Sequence, residues 1–266
     1  ENSPSDLVKF SREELMRCAV IYSSAMDFAA TVGRMLESNG AGKVDLEISI
    51  DETTTPTEPE DHFFVANELL YRNVKFCSLA PRFIGEFQKG IDYIGNIDEF
   101  RRQFALHVAI AKKFGNYKIS VHSGSDKFKA FPAIGELTGG HFHLKTAGTS
   151  WLEAVRAISV RSPKLFRNMY RKALVSLDDA RKLYHVTADF NQLPDLALMP
   201  DSELPSLLEC VPGRQLLHIT YGSMLADEKM HADIYAALHA NEQTYNEMLA
   251  VHFDRHLSLL GVPLRK

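Results

Sequence analysis

Cysteine is scarce in this chain: three in 266 residues, at Cys18, Cys77 and Cys210, each within an apolar run and far from the others. That usage excludes a disulfide framework and fits reduced thiols packed in the core of a cytoplasmic protein. No apolar run approaches the ~20 residues needed to span a bilayer, so a membrane partner is not expected. Positive charge is not in excess either. Thirty Lys and Arg face 34 Asp and Glu, for a net charge of −4. No basic patch suited to phosphates stands out, which argues against nucleic acid. The first residues, ENSPSDLVKF, have neither a basic n-region nor an apolar h-region and do not read as a signal peptide. There is no internal repeat, low-complexity tract or domain-boundary linker, so a single domain over 1–266 is expected.

What is present is an alternation of two periods. Ser11 and Glu14 form a capping box ahead of Leu15, Cys18, Ala19, Tyr22, Met26 and Ala29 at helical spacing, with a stop near Gly40. VDLEISID (44–51) then alternates with period two. Thr57 and Pro59 open a helix, KFCSLA (75–80) is strand-like, and Asn96 with Glu99 starts a helix that ends at Gly115. YKISVH (117–122) and HFHLK (141–145) are further strands. Ser150 with Glu153 and Ser162-Pro163 start two more helices. LYHVTAD (183–189) and LLHITYG (216–222) complete six strand candidates, and a long helical segment spans 227–260. Strand and helix in alternation predict a parallel α/β fold. With polar faces turned inward, the expected form is a TIM-like (β/α) barrel, short of the eight strands of a closed one.

Those strands are polar on one face. Asp45, Glu47, Ser49 and Asp51 oppose Leu46, Ile48 and Ile50. Ser120 and His122, His141, His143 and Lys145, His185, and His218 with Thr220 stand likewise opposite apolar partners. A parallel strand covered on both faces reads almost continuously apolar, so these polar sides are assigned to the barrel interior. Buried imidazoles and charges are costly unless paired, hydrated or metal-bound. Glu47, Lys145, His122 and His218 are therefore the expected centre, with the two histidines as ligands of a divalent metal cation and Glu47 as the proton acceptor. His252 and His256, at i and i+4, read as a solvated helix face. The loops SGSDK (123–127) and KTAGTS (145–150), and Arg82 after a strand, suit an anion. Asp51, Arg82, Ser125 and Lys127 are the expected contacts of a small, acidic, polyhydroxylated substrate.

The segments VDLEISIDETTTPTEPEDHFF, SLAPRFIGEFQKGIDYIG, SVHSGSDKF, IGELTGGHFHLKTAGTSWLEAVR and LLHITYGSML resemble the tagaturonate epimerase family. The resemblance runs from about Ser11 onward. It implies a divalent-metal-dependent isomerase that interconverts tagaturonate and fructuronate in hexuronate catabolism, on a TIM-like barrel. It also implies that family members carry an N-terminal portion not found here, with further strands and site residues. A small sugar acid would be the partner, with homo-oligomerisation left open. The competing expectations are an inactive relative that acts in binding or assembly, and another metal-dependent sugar isomerase or aldolase.

Overall fold

The computed structural model describes residues 8–40, 44–146 and 148–263, and only the backbone of Thr149. The N-terminal residues 1–7 and Ala147 of the KTAGTS loop lie outside the described residues. Four parallel strands, β1 (Glu47–Ile50), β2 (Ser78–Pro81), β3 (Lys118–Val121) and β4 (Phe142–Leu144), form one sheet in the order β1-β2-β3-β4. Helices α2 (Pro59–Tyr71), α3 (Ile97–Lys113) and α4 (Phe131–Thr138) make the crossovers that parallel pairing demands. The alternating strand residues sort as their period predicts. Ile48, Ile50, Leu79, Ile119 and Val121 are buried in the core shared with these helices.

The start signals act as expected. At α1 (Arg12–Ser38) both halves of the Ser11–Glu14 capping box form. Pro59 occupies the first turn of α2, and the Asn96 side chain accepts from the Asp98 and Glu99 amides at the head of α3. α5 (Thr149–Arg161) departs from expectation: Gly148 stands at its N-cap, and Glu153 is buried rather than capping. α6 (Pro163–Arg181), α7 (Val211–Ile219), α8 (Tyr221–Leu225), α9 (Glu228–Ala240) and α10 (Glu242–Leu259) follow. The expected 227–260 helix is thus two, capped by Asp227 and broken at Asn241. These later helices enclose a second core, with Leu152, Phe166, Met169, Tyr170, Leu204, Leu216 and Met224 at its centre.

Two of the six strand candidates are not strands. LLHITYG is helical because Pro212 presets the first turn of α7, and Leu216, Leu217 and Ile219 then satisfy a helical face as well as an alternating one. LYHVTAD begins in the turn that closes α6, with Leu183 and Tyr184 bonded to the Ala180 carbonyl, and joins no ladder among the described residues. Its Thr187 amide donates to the Gln88 side chain at 3.1 Å instead. No helix among the described residues is long and apolar enough to cross a membrane.

Candidate functional site

The polar sides of β1, β3 and β4 meet. Glu47 and Ser78 are register partners across β1 and β2, and the Ser78 hydroxyl donates to Glu47 Oε2 at 2.7 Å. Ser120 and His143 are partners across β3 and β4. The Nδ1–H of His143 faces both Ser120 Oγ at 3.0 Å and Glu47 Oε2 at 2.7 Å. His122, the residue after β3, places Nε2 2.7 Å from Glu47 Oε1 and Nδ1 2.8 Å from Asp51 Oδ2. Ser49 braces Asp51 through its hydroxyl.

Carboxylates accept and do not donate, so an imidazole between two of them carries a proton on each nitrogen. The hydrogen bond to Asp51 accordingly raises the His122 pKa, against the opposing effect of burial and with help from Glu47. Burial pushes Glu47 upward, but its bonds from His122, Ser78, Ser120 and His143 outweigh this and hold it near about 2. Asp51 is lowered for the same reason, its His122 bond overcoming burial. Two imidazoles converging on one carboxylate are also a donor set that fits a divalent cation, with Asp51 orienting His122 from behind.

Beside this cluster lies a cavity of about 400 Å³, lined among others by Asp51, Arg82, Lys89, His122, Ser123 and Tyr184. Asp51 and His122 form its wall, whereas Glu47, four residues earlier at the start of β1, is not part of that lining. Thr57 exchanges backbone and hydroxyl bonds with Arg82, and the Arg82 guanidinium donates to the Thr53 carbonyl. Lys145 is exposed.

Three expected site residues stand elsewhere. His218 belongs to α7, not to a strand, and is packed between two glycines. A Cβ at Gly148 (φ +91°) would fall 2.5 Å from its Nε2, and one at Gly90 (φ +73°) 3.2 Å from its Cβ. Neither ring nitrogen finds a hydrogen-bond partner among the described residues. Burial, with the nearby charge of Lys89, pushes its pKa down to about 4. Lys127 is fully buried, its ammonium donating to the carbonyls of Gln88 (2.8 Å), Ile91 (2.6 Å) and Ser125 (2.8 Å). Ser125 is buried beside it. Both join the loops after β2 and β3 rather than facing a substrate.

His252 and His256 are not on a solvated face either. One atom each of Asp126, His252 and His256 lies within 4.8 Å of the others. His256 donates through Nδ1 to the His252 carbonyl at 2.8 Å and accepts the Asp126 amide at Nε2, 3.2 Å away. Asp126 is paired with Arg214 at 3.1 Å, and Glu153 with Arg156 at 3.0 Å. Each buried carboxylate is paired with a guanidinium, yet both Asp126 carboxylate oxygens and His252 Nε2 find no hydrogen-bond partner among the described residues, and the side chains of Asp126, His252 and His256 are placed to hold a metal ion.

Sequence reasoning missed Lys89 as a member of the strand-end cluster. It placed His143 on the inward polar face without choosing it as a ligand. Lys89 lies in the loop after β2, where no periodicity operates; its one signal was its place just beyond a strand end.

Residues 3–260 match the family model described as tagaturonate epimerase. The chain is 44% identical over 253 residues to a tagaturonate/fructuronate epimerase of Thermotoga maritima, covering 95% of this chain and 52% of that protein. It is also similar to the crystal structure of a fructuronate-tagaturonate epimerase from Cohnella laeviribosi, with a TM-score of 0.92 and 47% identity, over 96% of this chain and 53% of that one. The chain spans about half the length of these relatives. On sequence and on fold alike, the chain belongs to the tagaturonate epimerase family.

Proposed function

We propose that the protein epimerises a ketohexuronate, interconverting tagaturonate and fructuronate on a TIM-like barrel. The four-stranded sheet would form part of that barrel. The observation that carries the proposal is His122, held between Asp51 and Glu47 at the wall of a cavity large enough for a hexose derivative. The inverted carbon is β to the ketone, so abstracting an α-proton does not invert it. Removing the proton of the β-hydroxyl instead sends the O–H electrons into a carbonyl. The α–β bond breaks, and its pair passes to the ketone fragment as an enolate. Rotation of the aldehyde and re-formation of that bond on its other face returns the opposite alcohol, with the proton restored.

Asp51 is the cluster carboxylate on the cavity wall, and we assign it the proton transfer. His122 steadies it and carries the positive charge that offsets the developing alkoxide. Glu47, expected from the sequence to take this proton, lies outside the cavity lining and holds His122 and His143 in position. A divalent cation that displaced the His122 Nε2 proton would be held by Glu47, His122 and His143, and would supply the positive charge and Lewis acidity in place of that proton.

The test is turnover of tagaturonate by the full-length protein with a carbonyl-trapping hydrazine present, alongside metal analysis. Epimerisation with capture of an aldehyde fragment is expected. Epimerisation with no fragment captured would replace bond cleavage by a hydride shift, and no epimerisation in metal-replete protein would remove the function.

A further inference from the structure

An acidic substrate needs a cationic subsite, and one of the basic residues expected to provide it cannot: Lys127 is enclosed with its three donors occupied. Arg82 lines the cavity, with one guanidinium nitrogen donating to the Thr53 carbonyl. Two ammonium groups stand with it at the strand ends. Lys89 lines the cavity and donates to Ser123 Oγ at 2.9 Å. Lys145 follows β4, and its backbone bonds to Val121 and Gly124, at 3.0 Å each, hold it against the strand end that carries His122 and Ser123.

The placement of Lys89 is built. The carbonyls on either side of it are clamped by cations from elsewhere: Gln88 O by Lys127 at 2.8 Å, and Gly90 O by Arg214 Nε at 2.6 Å. Its partner Ser123 has φ +50°, a left-handed conformation uncommon for serine and of the kind found where a fold fixes a functional group. Like charges on Lys89 and Lys145 repel, and an anion between them turns that repulsion into attraction.

We infer that Lys89 and Lys145, with the Ser123 hydroxyl, hold the carboxylate of the substrate. Lys127 and Arg214 act as positioning residues that fix the Lys89 backbone. The assignment rests on the sugar-acid function proposed above and deepens it. Burial and the charge of Lys145 both lower the Lys89 pKa, as expected of a cation awaiting a counter-ion.

The experiment compares tagaturonate with tagatose, its neutral counterpart, in the full-length protein and in Lys89→Met, Lys145→Met and Lys89→Arg. Calorimetric binding and steady-state turnover are read for each. Lys89→Met is expected to weaken binding of the acid by roughly 10- to 100-fold, the worth of a charge-assisted hydrogen bond. Tagatose binding should be unchanged, and Lys89→Arg should recover most of the loss. Equal weakening for both ligands, or none for the acid, overturns the assignment. Unaltered protein that binds the acid in a Lys89-dependent way without epimerising it removes the reaction but keeps the subsite. Turnover that ignores Lys89 keeps the reaction and removes the subsite.

Discussion

His122 and His252 each lie against an aspartate, yet the protein sets their charges in opposite directions. At the strand ends, both nitrogens of His122 reach carboxylate oxygens within 2.8 Å, and the ring is held as a cation. Behind the β3–α4 loop, Arg214 already neutralises Asp126, and His252 stands 3.5 Å from that aspartate and 3.6 Å from Glu153. Burial then prevails and pushes His252 down to about 4. What decides the outcome is whether the carboxylate's charge is still unmatched when the imidazole arrives. The first region can exchange protons with a ligand. The second stays neutral and fastens α10 to the loop that carries His122 and Ser123.

The strongest way to break this contrast is to remove the proton carrier. Asp51→Asn should lower turnover by roughly 10²- to 10⁴-fold with little change in the thermal midpoint. A large loss of stability with unchanged turnover would reverse the roles of the two regions. Next comes Arg214→Met, which leaves Asp126 charged and buried without its partner. About 3–5 kcal/mol of stability should be lost in urea titration, and Arg214→Met with Asp126→Asn should recover part of it. If the single variant were as stable as the parent, the knot would not be the clamp described.

The pH dependence sharpens the contrast further. The folded pKa of His122 lies above its unfolded value, so its contribution is complete below about 6.5 and fades as pH rises through the folded value. His252 has the reverse sign. Its unfolded form takes up a proton near 6.5 and its folded form only near about 4, so stability is lost as pH falls between them. Thermal midpoints against pH should therefore flatten on the alkaline side in His122→Gln and on the acid side in His252→Gln. The smallest effect calibrates the others. Asn96→Ala removes a helix cap remote from both regions and should cost about 1 kcal/mol, with turnover unchanged.

Much of the sheet was legible because alternation and burial agree. Glu47, Ser49 and Asp51 against Ile48 and Ile50 fix both the strand and its polar side, and Ser120 and His122 do the same for β3. The capping box at Ser11 and the cap at Asn96 fixed two helix starts. LLHITYG was not legible, since its apolar residues fit either period and Pro212 settles the matter from outside the segment. His252 and His256 misled for a related reason. Their charged neighbours in FDRH suggest a solvated face, but the two histidines share one side of α10 that turns toward Asp126. Lys127 was expected to meet the substrate because nothing local reveals three carbonyls waiting for it.

The seating of His218 between Gly90 and Gly148 carries a consequence for how such sequences can drift. Neither glycine can acquire a side chain while an imidazole fills the space between them. A smaller residue at position 218 would release only the steric half of that restraint, because the backbone angles at 90 and 148 disfavour other residues in any case. Any side chain at position 90 or 148 therefore has to wait until position 218 has lost its ring.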